Sequence, residues 1–139
     1  MRYTLFRGLE NNPAACDIRK RVFVEEQGFR EEFDMIDKTA YHAVVYVNDR
    51  YAATGRLFAD ESGSCHIGRV AVLRDFRGMS LGRYVMKILE KKALELGFTS
   101  TELSAQVRVM GFYAKLGYMP VGDEYLDQGC PHIKMVKKL

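Results

Sequence analysis

The chain lacks the marks of several protein classes. Its three cysteines, Cys16, Cys65 and Cys130, are widely spaced, with no CxxC pair and no Cys/His cluster. Cysteines so dispersed support neither a disulfide framework nor zinc ligation, and they suit a reducing cytoplasm. No apolar run approaches the roughly 20 residues needed to span a bilayer, and the opening Met1-Arg2-Tyr3-Thr4-Leu5-Phe6 has no long apolar region of signal-peptide type. These absences predict a soluble, unprocessed, cytoplasmic protein with no membrane partner. A concentrated basic stripe is missing too: 21 Lys and Arg are interspersed with 18 Asp and Glu, for a net charge of +3. That distribution argues against nucleic acid as a partner and fits a mildly basic cleft for a small anion. Repeats, low-complexity tracts and long linkers are likewise lacking, so 139 residues, 47% of them hydrophobic, are expected to form one domain spanning residues 1–139.

What is present reads as alternating strands and helices. Tyr3–Phe6 is a short β-rich run, and Asn11-Asn12-Pro13 supplies a helix start. A helix follows over about residues 13–26, with Ile18 and Val22 four apart on the core face. The stretch from Arg30 to Lys38 is charged and irregular. Residues 43–47, 51–59 and 66–72 then predict three sequential antiparallel strands joined by polar turns. From Leu81, apolar residues at 81, 84, 85, 88, 89 and 96 follow helical spacing, with Gly97 placed to end the helix. A strand at 101–105, a shorter helix over 107–116 and two strands at 118–125 and 132–136 complete a mixed α/β arrangement around one sheet.

The chemistry gathers where the third of those sequential strands runs through a small-residue turn into the long helix, Val70-Ala71-Val72 to Arg77-Gly78-Met79-Ser80-Leu81-Gly82. A helix start presents unpaired N–H groups and the positive end of its dipole, which suits a pyrophosphate. Gly78 and Gly82 permit close approach, Ser80 offers a hydroxyl, and Arg77 or Arg83 offers charge. No Gly-Lys-Ser/Thr follows and no GxGxxG occurs, which sets aside nucleotide-hydrolase and dinucleotide loops. An ordinary glycine-containing β–α connection has the same bare spacing.

Val72 to Gly82, with its Arg-Gly-x-x-x-Gly run, resembles motif A of the GNAT superfamily of N-acetyltransferases, with Ser80 where the family usually has a first glycine. Phe112-Tyr113-x-Lys115-x-Gly117-Tyr118 is similar to its motif B, and Arg19 to Gln27 and Gly129 to His132 are similar to the ElaA/YjcF-like branch. The resemblance implies a GNAT-like mixed sheet flanked by helices, the acyl-CoA N-acyltransferase fold. It implies acetyl-CoA as co-substrate, held at its pyrophosphate by residues 77–82 and Arg83, with the strand Val70-Ala71-Val72 beside the pantetheine arm. An N–H near Val70 would then hold the oxyanion, Tyr113 would serve as general acid toward the leaving thiolate, and Gln106 would occupy a position where relatives contact CoA.

The base remains open among Glu25, Glu26, His42 and His132, with His132 leading by its place in the branch resemblance; Arg19, Glu26, His42 and Arg69 are candidate acceptor contacts. Cys130 is expected to be a buried small residue. The resulting expectation is direct transfer of acetyl from acetyl-CoA to a primary amine on a small molecule, without a metal. A homodimer is possible by similarity. A protein N-acetyltransferase or a non-catalytic acyl-CoA-binding sensor or partner protein is the alternative.

Overall fold

The computed structural model describes residues 1–30 and 32–139; Glu31, within the charged stretch, lies outside them. Among the described residues, β1 (Arg2–Arg7), β2 (Tyr41–Val47), β3 (Arg50–Ala59), β4 (Cys65–Val72), β5 (Ser100–Gln106), β6 (Met119–Asp127) and β7 (Cys130–Lys138) form one sheet in the order β1-β2-β3-β4-β5-β7-β6. Among the same residues three α-helices accompany it: α1 (Pro13–Arg19), α2 (Leu81–Glu95) and α3 (Met110–Lys115). No helix among the described residues is long and apolar enough to cross a membrane.

The expected helix over 13–26 divides at Lys20. α1 passes into a π-helical stretch, Lys20–Glu26, whose wider turns close with Gln27 N–H donating to Val22 O at 3.0 Å. Such widened turns are rare and frequently sit at functional sites. The expected helix over 107–116 also divides, into a 3-10 turn, Val107–Val109, followed by α3.

The apolar spacing of α2 does what it predicts: Leu81, Val85, Met86, Ile88, Leu89 and Ala93 are buried. Each full burial of a large aliphatic chain stabilises by about 1.5–3 kcal/mol, which offsets the cost of ordering the helix. Gly55 in β3 lets α2 approach closely. A Cβ there would lie 2.6 Å from Val85 Cγ1 and 3.0 Å from Leu89 Cδ1.

The sheet is antiparallel throughout except at β4 and β5, which run parallel and share the register pair His66↔Glu102. Beyond that pair the strands diverge into a wedge. On the β3 side, Thr54 pairs with Ala71 and Arg56 with Gly68, so Arg69 and Val70 together face Gly55 as a β-bulge. Arg69 accordingly has a φ of 52°, a left-handed conformation that a non-glycine residue adopts only when its surroundings hold it there.

Its surroundings are a buried ion network. Arg19, 1% exposed, donates from Nε to Glu32 Oε1 at 2.8 Å and from Nη1 to Asp37 Oδ1 at 2.7 Å. Arg56 donates to Asp34 Oδ1 at 2.7 Å and Asp37 Oδ1 at 2.9 Å. Arg69 Nε completes the set at 3.0 Å from Glu32 Oε1 and 3.1 Å from Glu32 O. The stretch expected to be irregular thus supplies three carboxylates to three arginines. Burial alone would raise the Asp37 carboxyl, but hydrogen bonds from Arg19, the Asp34 backbone and Arg56 hold it down at about 2.

Candidate active site

Two clefts meet inside the wedge. The first, of about 470 Å³, runs along the edge of β4 at Val70, Ala71 and Val72 to the turn before α2. Arg77, Gly78 and Ser80 through Arg83 line that turn, whereas Met79 points outward and is 49% exposed. Gly78 takes a φ of 83° and Ser80 one of 59°, which together curl the backbone around the helix end. The first bond inside α2 is Tyr84 N–H to Ser80 O at 3.1 Å, and no side chain caps the helix. The N–H groups of Leu81, Gly82 and Arg83 therefore have no partner within the helix, and they face the cleft with the positive dipole end behind them. Gly82 has a second reason to lack a side chain, since a Cβ would come within 3.2 Å of Phe112 Cζ on α3.

The second cleft, about 170 Å³, lies on the other side of the bulge. Phe23 and Phe29 give it apolar walls, and Arg69, Ser104, Gln106 and His132 give it polar ones. Val70 and Tyr113 belong to both clefts. The extra residue of a bulge is left out of the ladder, so the Arg69–Val70 segment brings unpaired backbone to the point where the clefts join. Tyr113 packs edge-on against Phe112 and Tyr118, and burial pushes its phenol up to about 12.

His132 is paired across the ladder with Gln106, the last residue of β5, on one side and with Tyr125 of the β6–β7 hairpin on the other. Its Nδ1 lies 2.7 Å from Cys130 O. A carbonyl can only accept, so Nδ1 carries a proton, which leaves Nε2 as the ring nitrogen able to offer a lone pair. Gln106 is held from both ends: its Nε2 donates to Gln27 Oε1 at 2.9 Å, and Arg108 Nε donates to its Oε1 at 2.8 Å.

Other residues singled out by sequence sit elsewhere. Arg19 and His42 do not reach either cleft. Arg19 is enclosed by Glu32 and Asp37, and His42 is fully buried with Nε2 donating to Asp37 O at 3.0 Å. Burial, outweighing that hydrogen bond, lowers the His42 pKa and keeps the ring neutral. Arg69 lines the second cleft while its Nε is committed to Glu32. Glu26 lines the first cleft rather than the second, in a bidentate pair with Arg77 at 2.7 and 2.8 Å. Hydrogen bonds from Arg77 lower its pKa. Glu25 projects outward from the π-helical stretch. Cys130, expected to be buried, is half-exposed at the β6–β7 turn. Sequence reasoning missed Gln27 and Arg108, which line both clefts, and the phenylalanine walls. Phe23 and Gln27 lie in the run that carries the branch resemblance, but no role was read for them there; only a fold that brings residue 27 beside residue 106 reveals it.

A wedge between parallel strands, a helix end with unpaired amides at one side and a small lined cleft at the other define an acyltransferase of the acyl-CoA N-acyltransferase fold. Residues 12–139 match the acetyltransferase (GNAT) domain, and the chain belongs to that family. It is 34% identical over 140 residues to the uncharacterized N-acetyltransferase YjcF of Bacillus subtilis, covering 99% of each chain. Among solved structures, it resembles an acyl-CoA N-acyltransferase of Pseudomonas aeruginosa, with a TM-score of 0.86, 28% identity and 98% of each chain covered. Escherichia coli ElaA is similar to the same degree, with a TM-score of 0.86, 28% identity and 99% coverage of each chain. These findings agree with the branch to which motif residues pointed, and the enzyme is an acyl-CoA-dependent N-acetyltransferase.

Proposed function

We propose that the protein transfers acetyl from acetyl-CoA to a primary amine on a small molecule by direct attack in a ternary complex. The observation that carries this reading is the meeting of the two clefts at Val70 and Tyr113. The pyrophosphate would rest on the amides of residues 81–83, with the pantetheine arm along β4 and the thioester carbonyl at the bulge. There a backbone N–H near Val70 receives the oxyanion of the tetrahedral intermediate, where a preorganised donor contributes most. The amine enters from the second cleft and gives a proton to His132 Nε2, directly or through one water. Its nitrogen then attacks the carbonyl carbon, the C–S bond breaks, and the proton left on nitrogen passes to the departing thiolate, directly or through water, giving the amide and the CoA thiol.

Tyr113 faces the departing sulfur. With its phenol near 12 and a thiol near 8.5, full proton transfer to the thiolate is uphill by about 3–4 pK units, so Tyr113 stabilises the sulfur by donating a hydrogen bond. The size of the second cleft favours a compact amine over a folded protein surface.

Calorimetric titration with acetyl-CoA tests the reading without knowing the acceptor. Binding by the native protein, lost in a folded Gly82→Trp variant, is the expected result, because the indole would fill the turn and strike Phe112. No binding up to millimolar acetyl-CoA would overturn it.

A further inference from the structure

All three guanidinium nitrogens of Arg77 are engaged by the protein. Its Nε donates to Val72 O at 3.1 Å, while Nη1 and Nη2 donate to Glu26 Oε2 and Oε1 at 2.7 and 2.8 Å. Three elements are thereby tied across the first cleft: the end of the π-helical stretch at Glu26, the last residue of β4 at Val72, and the turn into α2. The groups so engaged are those an acyl-CoA would need. Val72 O lies on the β4 edge available to a pantetheine amide, and the Arg77 fork is the cationic side chain nearest the phosphate turn in sequence. Glu26 meanwhile places a carboxylate, with its side chain 26% exposed, in a cleft otherwise arranged for an anion.

We infer that Glu26 and Arg77 form a latch that the pyrophosphate of acyl-CoA opens, making Glu26 a determinant of selection for ligands that carry the pyrophosphate. This rests on the acyl-CoA reading of the cleft. A pyrophosphate offers the guanidinium fork the same planar pair of acceptors with more negative charge, so it replaces Glu26 on Arg77. As Arg77 turns, Val72 O is freed for the pantetheine arm. The displaced carboxylate stays near Arg74, whose Nη2 is already 3.8 Å from Glu26 Oε2. A pantetheine fragment without phosphates carries nothing that can take Arg77 from Glu26, and it meets a closed latch. Glu26 acts through Arg77 and by competing with the phosphates; it is a positioning residue and not a catalytic one.

The test measures Kd for CoA and for pantetheine on the native protein, Glu26→Gln and Arg77→Gln, with thermal melts to show that each variant is folded. Glu26→Gln should bind CoA about fivefold more tightly, the scale of one partly exposed ion pair, with pantetheine changed by less than about twofold. Arg77→Gln should weaken CoA by about tenfold and tighten pantetheine by about twofold, because the Arg77 Nε bond that occupies Val72 O is gone. A purely architectural ion pair cannot produce tighter binding on its removal; it would weaken both ligands together. Unchanged or weaker CoA binding by folded Glu26→Gln overturns the latch while leaving the CoA site intact. If Glu26→Gln does not fold, equal losses of CoA and pantetheine in Arg77→Gln overturn it instead. Failure of native protein and variants alike to bind CoA removes the acyl-CoA reading and the latch together.

Discussion

Tyr113 shows how burial alters the work of a side chain whose motif position is plain. A phenol raised to about 12 is a weak acid toward a thiolate, yet it remains a firm hydrogen-bond donor across physiological pH. Tyr113→Phe, which keeps the ring contacts with Phe112 and Tyr118, should therefore lower kcat by about a hundredfold with little change in KM for acetyl-CoA, measured by thiol release once an amine acceptor is in hand. A change confined to KM would assign Tyr113 to binding instead. His132 and His42 make a contrast at the same scale. Both are single histidines on strands, and apart from the branch resemblance that put His132 ahead, their local patterns are alike. The structure separates them by neighbours: His132 presents Nε2 at the rim of a cleft, and His42 faces Asp37 in the interior. Local sequence cannot distinguish these cases, because the deciding contacts come from other elements.

At the level of elements, the strands and α2 were readable because their signals are local. Val44 and Val45 are β-branched and buried, and the 3.6-residue spacing in α2 maps onto one apolar face. The small-residue turn into α2 was readable for a similar reason: its glycines and the helix start lie within six residues of one another. The π-helical stretch and the bulge left no such mark. Lys20–Glu26 carries no sequence mark of its widening, which shows instead in the five-residue reach of the hydrogen bond from Gln27 N–H to Val22 O. Gly55 has a local explanation once α2 is docked. Gly55→Ala should destabilise the protein by about 1–3 kcal/mol in urea unfolding, since Val85 and Leu89 must leave their rotamers to admit one methyl group. A neutral substitution would mean that α2 sits farther from β3.

Across the whole molecule, the long-range partners were the illegible part. Arg19 meets Glu32 and Asp37 at separations of 13 and 18 residues, and Arg69 meets Glu32 at 37, distances over which no periodicity operates. Charged residues in a short irregular stretch are usually solvated; here Glu32 and Asp37 are buried, and Glu32 holds the Arg69 bulge on which the oxyanion site is proposed to depend. The acid limb of stability follows from the same network. Asp37 is depressed to about 2, so its contribution is complete above the unfolded carboxylate value near 3.9 and is lost as pH falls toward 2. Asp34, also lowered, adds in the same sense. Glu32, raised by burial against its arginine partners, works in the opposite one. Urea midpoints measured from pH 5 to pH 2 should fall by the equivalent of about 2 kcal/mol, and Asp37→Asn should flatten much of that slope. A slope unaltered by Asp37→Asn would place the acid sensitivity elsewhere.

The single registered pair between β4 and β5 gives the sheet a fulcrum. On one side lie β1 to β4, carrying the cofactor turn; on the other lie β5 to β7, carrying His132 and Gln106. The two jaws are joined at His66↔Glu102, where the Glu102 carboxylate also sits 3.5 Å from His66 Nε2 and 3.0 Å from Lys134 Nζ. Spreading the jaws at their tips breaks no ladder hydrogen bond between β4 and β5 above that point. The aperture is set by the few side chains that span it, Gln27 with Gln106 among them, so an acceptor can be admitted and its product released without melting either half of the sheet.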